Sequence, residues 1–193
     1  VTTINAGISG NTTAAGLKRI QKDVLDHKPD LVTVMFGLND MVRVPIPDFK
    51  VNLGQIIKRC RDTGAEVLLC TPNSVISTSS RRIATLVEYC QAIREVAKEH
   101  QTPLCDMHAT YEALRSRDPM AWRLLLSDEI HPNMDGHKLI AETICHAITG
   151  REISLATAGP PLPAMPKTAA LIKAGKPVRV LAMPPYDEMI GPA

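Results

Sequence analysis

A histidine follows an aspartate by three residues in the segment Ser127 to Pro132, which reads SDEIHP. Pro132 disfavours helical backbone at the residue before it, so we expect His131 to lie on an extended loop. From there Asp128 can accept a hydrogen bond from the imidazole Nδ1, which fixes the tautomer and stabilises the imidazolium formed when Nε2 takes a proton. The pair has the composition of a general base with its orienting carboxylate. A helix-capping aspartate beside a surface histidine is the alternative interpretation.

Two further segments contain groups that could donate hydrogen bonds to a developing negative charge. Asn39 stands in Gly37-Leu38-Asn39-Asp40, directly after an apolar run. Its amide can donate to such a charge, whereas an ionised aspartate can only accept. The segment Asn5 to Thr12 (NAGISGNT) has glycines that allow a tight turn before a helix, whose first N–H groups face outward. Taken singly, both segments also fit ordinary turns rich in Gly, Asn and Asp.

The elements that must position these segments follow from the spacing of the apolar residues. We expect strands at Val1–Ile4, Leu31–Phe36, Glu66–Thr71 and Pro103–Met107, and helices between them. The second of these strands should be covered on both faces, since it is a continuous apolar run. Alternating strands and helices favour an α/β fold with a parallel sheet, whose chemistry lies in loops after the strands' C-terminal ends. The inward residues of the helix over 81–100 should be Ile83, Val87, Cys90, Ile93 and Ala97, and those of the last helix Ile140, Ile144, Ala147 and Ile148.

The composition excludes several classes of protein. Of the 193 residues, 45% are hydrophobic and 22% charged, and the net charge is +2. There is no basic run of the kind that binds nucleic acid, and no apolar stretch approaches the ~20 residues of a membrane span. We interpret Lys18-Arg19 and Arg81-Arg82 as exposed helix faces.

The five cysteines are widely spaced and form no CxxC pair. We therefore expect five buried thiols rather than a metal site, which slightly favours a reducing compartment. The chain opens with Val1-Thr2-Thr3-Ile4 and has no starting Met. We accordingly expect an N-terminus further upstream, and the localisation is not read from this end.

The three polar segments together resemble the SGNH (GDSL-type) family of serine esterases and lipases. NAGISGNT is similar to the family's second conserved block, GLND to the third and DEIHP to the fifth, in the same order. The resemblance covers about residues 1–150 and implies a flavodoxin-like three-layer fold. It also implies hydrolysis of small-molecule, carbohydrate or lipid esters without a metal or other cofactor.

The same resemblance implies a role for each site residue. Gly10, through its backbone N–H, and Asn39, through its side-chain amide, would be oxyanion-hole donors. His131 would be the general base and then the general acid, and Asp128 would orient it. Because all of them must surround one carbonyl, His131 should lie within about 10 Å of both donors.

The sequence departs from the family at the nucleophile. The first block, Gly-Asp-Ser after the first strand, is absent. Ser9 belongs to the second block, and Ser127 should point away from its neighbour Asp128, so neither is expected to replace it. Two interpretations remain: an esterase whose serine lies outside this sequence, or a non-catalytic relative that binds an acyl or acetylated-sugar ligand in the same cleft. A third, weaker one is a metal-dependent hydrolase using Asp128, His131 and His137.

The C-terminal part of the chain differs in composition. We expect a domain over residues 1–150, a Pro/Ala-rich linker over 151–175 and a tail over 176–193. In the family's fold the missing first strand is central, so its loss leaves two open edges. The β-prone run Val178–Ala182 faintly resembles that strand, with Met183-Pro184-Pro185 in place of Gly-Asp-Ser. We expect it to fill the gap, as in a circular permutation; the alternative is that it opens a truncated second domain.

Overall fold

The structure is a computed structural model that describes residues 2–158 and 166–176. It divides into two compact units, one ending at Ala156 and the other beginning at Thr157. The first unit alternates helices with short strands, as the sequence predicts. Its elements are α1 (Thr13–Asp23), a 3₁₀ turn (Leu25–His27), β1 (Leu31–Met35), α2 (Asp40–Arg43), α3 (Ile46–Asp62), β2 (Glu66–Cys70), α4 (Ile83–Glu99), β3 (Leu104–Cys105), α5 (Met107–Arg117), α6 (Pro119–Arg123) and α7 (Met134–Thr149).

The strands form a parallel sheet in the order β1-β2-β3. Leu31 is in register with Glu66, and Leu69 with Leu104. The predicted α/β class with a parallel sheet is therefore confirmed. Since all three strands run the same way, the loops that follow them meet at one edge of the sheet, and Asn39 lies in the loop after β1.

Helices cover both faces of the sheet at its centre. On one face, Val67 and Leu69 of β2 pack with buried residues of α3 and α4 such as Leu53 and Ile93. On the other face, the core comprises Leu68, Cys70, Cys105, Met107, Tyr111, Trp122 and Leu126, with Ile140 and Ile144 of α7 packed against it. Each large aliphatic side chain buried in this way stabilises the fold by about 1.5–3 kcal/mol.

The first predicted strand is not formed, and β1 is less covered than expected. Thr2–Ile4 have no regular structure and do not pair with β1, which is an edge strand of the sheet that the described residues form. In β1 only Val34 is buried, while Leu31 and Met35 are 38% and 46% exposed. Among the described residues, the second core contains no β1 residue, so none of its side chains covers this face of the strand. The prediction that the strand is covered on both faces is therefore wrong.

Some inward positions on the helices were also predicted wrongly. Val87 is 44% exposed, and Leu86 is buried instead, because Leu86 shares one helix face with Cys90, Ile93 and Ala97 at the spacing i, i+4, i+7 and i+11. Ala147 and Ile148 of α7 are exposed, because they line an open pocket together with Leu31 of β1 and Val67 of β2. The cysteines are all free, and four are buried, but Cys145 on α7 is only partly so.

The second unit contains one described helix, α8 (Pro166–Lys173). It falls inside the stretch predicted as a linker, so that stretch is not irregular throughout. The segment Val178–Ala182, predicted to fill the gap in the sheet, lies outside the described residues. Within 2–158 and 166–176, no helix has the length and apolar character needed to cross a membrane.

Candidate active site

The loop between α6 and α7 holds Asp128 and His131 together. Oδ2 of Asp128 lies 2.6 Å from Nδ1 of His131, and Oδ1 accepts the backbone N–H groups of Ile130 (2.8 Å) and His131 (2.7 Å). These hydrogen bonds, that of the imidazole first, lower the pKa of the Asp128 carboxyl to about 2. The carboxylate is therefore ionised at neutral pH and available to stabilise an imidazolium. The His131 side chain is 64% exposed, so its ring is accessible to a substrate.

The backbone around the pair explains why the loop takes this shape. The Ser127 N–H donates to the His131 carbonyl (2.9 Å), and Leu126 and Pro132 form an antiparallel bridge. Asn133 then caps α7 by accepting the N–H groups of Asp135 and Gly136. The capped helix begins directly after the loop, so His131 lies outside α7.

The two predicted donor segments are in direct contact. Gly10 lies in a turn closed by the Asn11 N–H on the Ile8 carbonyl, with a φ of +74° that favours glycine. Nδ2 of Asn39 donates to the Asn11 carbonyl (3.1 Å), and Nη1 of Arg43 donates to the Gly10 carbonyl (3.0 Å). The loop after β1 and helix α2 therefore each donate one hydrogen bond to the backbone of the Gly10 turn.

A buried aspartate, Asp40, connects the same two segments through hydrogen bonds. Asp40 is fully buried, and its Oδ1 accepts the N–H (2.8 Å) and the hydroxyl (2.6 Å) of Thr13, the first residue of α1. Its Oδ2 accepts the N–H of Gly37 (3.2 Å). Asp40 belongs to the GLND motif, but its role was not predicted from the sequence. An aspartate next to the asparagine at the strand end does not indicate that its partner, Thr13, lies 27 residues away in the sequence.

Two arginines interpreted as exposed helix faces also hold this region. Nε of Arg19 donates to Asn11 Oδ1 (2.8 Å), and its Nη1 donates to the Ala6 carbonyl (2.6 Å). Arg81 donates to the Leu38 carbonyl and to Asn39 Oδ1. The interpretation of these two residues as simple exposed charges is therefore wrong. Helical spacing alone does not show where a long side chain ends.

The His131 loop and the Asn39 loop pack against one small core. The buried residues Val75, Leu86 and Cys90 contact Leu38 on one side and Ile130 on the other. Asn73, also buried, donates from Nδ2 to the Ile130 carbonyl (3.1 Å). The segment after β2 therefore joins the residue before Asn39 to the residue before His131. The distance of about 10 Å expected between His131 and the donors stays a prediction.

The structure also shows the surroundings of Ser127 and of His137, the additional histidine of the metal alternative. The Ser127 hydroxyl donates a hydrogen bond to the His131 carbonyl (3.0 Å), so the hydroxyl is directed at the backbone. His137 is exposed on α7. Among the residues that the structure describes, no group of three His, Cys, Asp or Glu side chains could hold a metal ion.

The fold and these side chains place the chain in a class of three-layer α/β proteins with their polar loops at one edge of a parallel sheet. The model of the GDSL-like Lipase/Acylhydrolase family matches residues 1–139, and the chain belongs to that family. It is 27% identical over 158 residues to an acetylxylan esterase of Geobacillus stearothermophilus, covering 75% of this chain and 71% of the relative. It is 28% identical over 149 residues to an arylesterase of Vibrio mimicus, covering 77% and 70%.

A solved structure agrees with these relatives. The crystal structure of a lipase/acylhydrolase from Enterococcus faecalis is similar with a TM-score of 0.65 at 29% identity, covering 75% of this chain and 73% of that one. The fold and the esterase/acylhydrolase family predicted from the sequence are thereby confirmed.

Proposed function

We propose that the domain performs carboxylic-ester hydrolysis with a nucleophilic serine that lies outside these 193 residues. The observation that carries the proposal is the pairing of His131 with ionised Asp128, 2.6 Å apart, on loops that share a core with Asn39. A histidine held in this way is a general base, and the Gly10 and Asn39 N–H groups are suited to an oxyanion.

In the proposed reaction the serine Oγ attacks the ester carbonyl while Nε2 of His131 takes its proton. The carbonyl oxygen becomes an oxyanion, to which the Gly10 N–H and the free Asn39 amide hydrogen donate. The oxyanion then collapses and breaks the C–O bond to the alkoxide, which takes the proton from His131 and leaves as an alcohol. The acyl group stays on the serine as the acyl-enzyme. A water molecule then attacks the acyl-enzyme carbonyl and gives a proton to Nε2 of His131. When the second oxyanion collapses, the bond to the serine Oγ breaks, the acid leaves and His131 returns the proton to the serine. Asp128 stays ionised throughout and stabilises the imidazolium in both halves.

The relatives guide the choice of substrate. An acetylxylan esterase and an arylesterase are among them. The first name specifies acetyl groups on a sugar polymer and the second specifies aryl esters, so we propose acetyl esters of a sugar and of an aromatic alcohol as the first substrates to assay. Lipid esters remain the further option within the small-molecule, carbohydrate and lipid esters named above.

The test is hydrolysis of an aryl acetate and of acetylated xylan. The 193-residue chain should not exceed the background rate, because it has no activated nucleophile. Serine-dependent turnover, blocked by an organophosphonate that labels one serine, would show that the nucleophile lies within the chain. In a longer form that includes the serine, His131→Ala should abolish turnover, and Asn39→Ala should lower kcat roughly 10²–10³-fold. An effect of Asn39→Ala on KM alone would make Asn39 a substrate-binding residue instead.

The absence of Gly-Asp-Ser favours a second candidate function, binding without catalysis. In that case the same cleft would hold an acyl or acetylated-sugar ligand. Calorimetric titration of the chain with an acetylated xylo-oligosaccharide and with its deacetylated form separates the two candidate functions, hydrolysis and binding without catalysis. Tight, acetyl-dependent binding combined with no turnover by any serine-containing form would establish the binding function.

A further inference from the structure

Arg81 lies at the entrance to α4 on a rigid turn. Its N–H donates to Thr78 Oγ1 (3.0 Å), and its carbonyl accepts the N–H of Thr78 (3.0 Å). The backbone that carries the guanidinium is therefore fixed by two hydrogen bonds to one residue. The side chain reaches from this turn to the loop after β1.

The guanidinium donates hydrogen bonds to two adjacent residues of that loop. Nε donates to the Leu38 carbonyl (3.0 Å), and Nη2 donates to Asn39 Oδ1 (3.1 Å). A planar fork with donors at fixed angles can make both bonds at once, which an ammonium on a flexible stem cannot do in the same geometry. Arg81 thus holds both the main chain of the loop and the oxygen of the Asn39 amide.

The hydrogen bond that Asn39 Oδ1 accepts determines where the amide nitrogen of Asn39 points. With Oδ1 on the guanidinium, Nδ2 donates one hydrogen to the Asn11 carbonyl (3.1 Å) and keeps the other free. A flipped amide would set its oxygen against the Asn11 carbonyl and its hydrogens against Arg81. The cation at the oxygen end also polarises the amide, which makes its remaining N–H a stronger donor.

We propose that Arg81 is a positioning residue for Asn39: it fixes the orientation of the amide and strengthens its free N–H for the oxyanion. This inference rests on the proposed function, in which Asn39 is an oxyanion donor. Arg81 itself touches no reacting atom. Arg82, its exposed neighbour in sequence and the residue at the N-cap of α4, is a matched control.

Solvent exchange of the Asn39 side-chain amide, measured by NMR on the full chain, tests the orientation. Arg81→Gln should accelerate exchange roughly tenfold, because a hydrogen bond to a charged group is lost at a partly exposed site. Arg81→Lys keeps the charge without the fork and should show an intermediate rate. Arg82→Gln should leave the rate unchanged. An Asn39 rate equal to the native one in Arg81→Gln, or in Arg81→Lys should the first variant not fold, would overturn the inference.

Titration with acetate then separates failure of this inference from failure of the proposed function. In the native chain, acetate should shift the Gly10 and Asn39 amide resonances, and Arg81→Gln should weaken its affinity roughly tenfold. If both resonances respond equally in native chain and variant, Arg81 does not position the donor although the donor site stands. If neither responds in the native chain, the oxyanion-hole assignment fails, and the exchange rates alone decide whether Arg81 orients the amide.

Discussion

Replacing Asp40 should show how strongly the two donor segments are joined. The side chain is fully buried and accepts three hydrogen bonds, two from Thr13 and one from Gly37. In Asp40→Ala, two backbone N–H groups and one hydroxyl lose their acceptor, and each buried unsatisfied donor costs about 1–3 kcal/mol. Allowing the hydroxyl to find a new partner, we expect a loss of about 3–5 kcal/mol in the free energy of unfolding.

Urea denaturation followed by circular dichroism measures this loss. Asp48→Ala is the matched control, since Asp48 is an exposed aspartate in the first turn of α3 and should cost about 1 kcal/mol or less. Asp40→Asn should fall between the two, because its amide can still accept from Thr13 but presents a donor to the Gly37 N–H. A loss in Asp40→Ala no larger than that of Asp48→Ala would refute the reasoning that buried hydrogen bonds fasten the donor segments.

Three further predictions concern the surroundings of the site. Burial lowers the pKa of His108 from its ordinary 6.5, so the unfolded chain binds a proton at this histidine before the folded chain does as the pH falls. The contribution of His108 to the free energy of unfolding is therefore full above pH 6.5 and is lost as the pH falls through the lower pKa of the folded state. His108→Gln should therefore flatten the acid side of the stability profile, measured by urea titrations at several pH values, and a profile as steep as the native one would contradict this. Gly136→Ala should cost about 1–3 kcal/mol in thermal melts, because an added Cβ would overlap the Leu125 carbonyl and lie 2.8 Å from Pro132 Cβ. Asn73→Ala should cost about 1–2 kcal/mol in urea denaturation and shift the NMR resonances of the His131 ring, because the Ile130 carbonyl loses a buried donor; native His131 resonances would contradict this role.

The local chemistry of the site could be predicted from the sequence because it depends on near neighbours. Asp128 and His131 are three residues apart, and the proline after them fixes the backbone. The Thr12 cap of α1 was likewise foreseeable, since the Oγ1 accepts the N–H of Ala15 three residues on. The strands β1 and β2 followed from uninterrupted apolar runs.

The contacts that join the segments could not be predicted in the same way. Asp40 reaches Thr13 across 27 residues, and Arg81 reaches Asn39 across 42. No periodicity connects such pairs, and both side chains belong to types whose prior expectation is exposure. The bare face of β1 was missed for a related reason: an apolar sequence shows that a strand can be buried, but only the neighbouring elements decide whether it is.

The central claim is that Gly10, Asn39 and His131 surround one carbonyl group, and NMR titration of the labelled chain with acetate tests it most directly. Acetate presents a carboxylate oxygen where the oxyanion would form. We predict that the Gly10 N–H, the Asn39 side-chain amide and the His131 ring shift together along one saturation curve, while chloride at equal ionic strength leaves them in place. Separate curves for the three groups, or an unmoved His131, would contradict the claim that they form a single site.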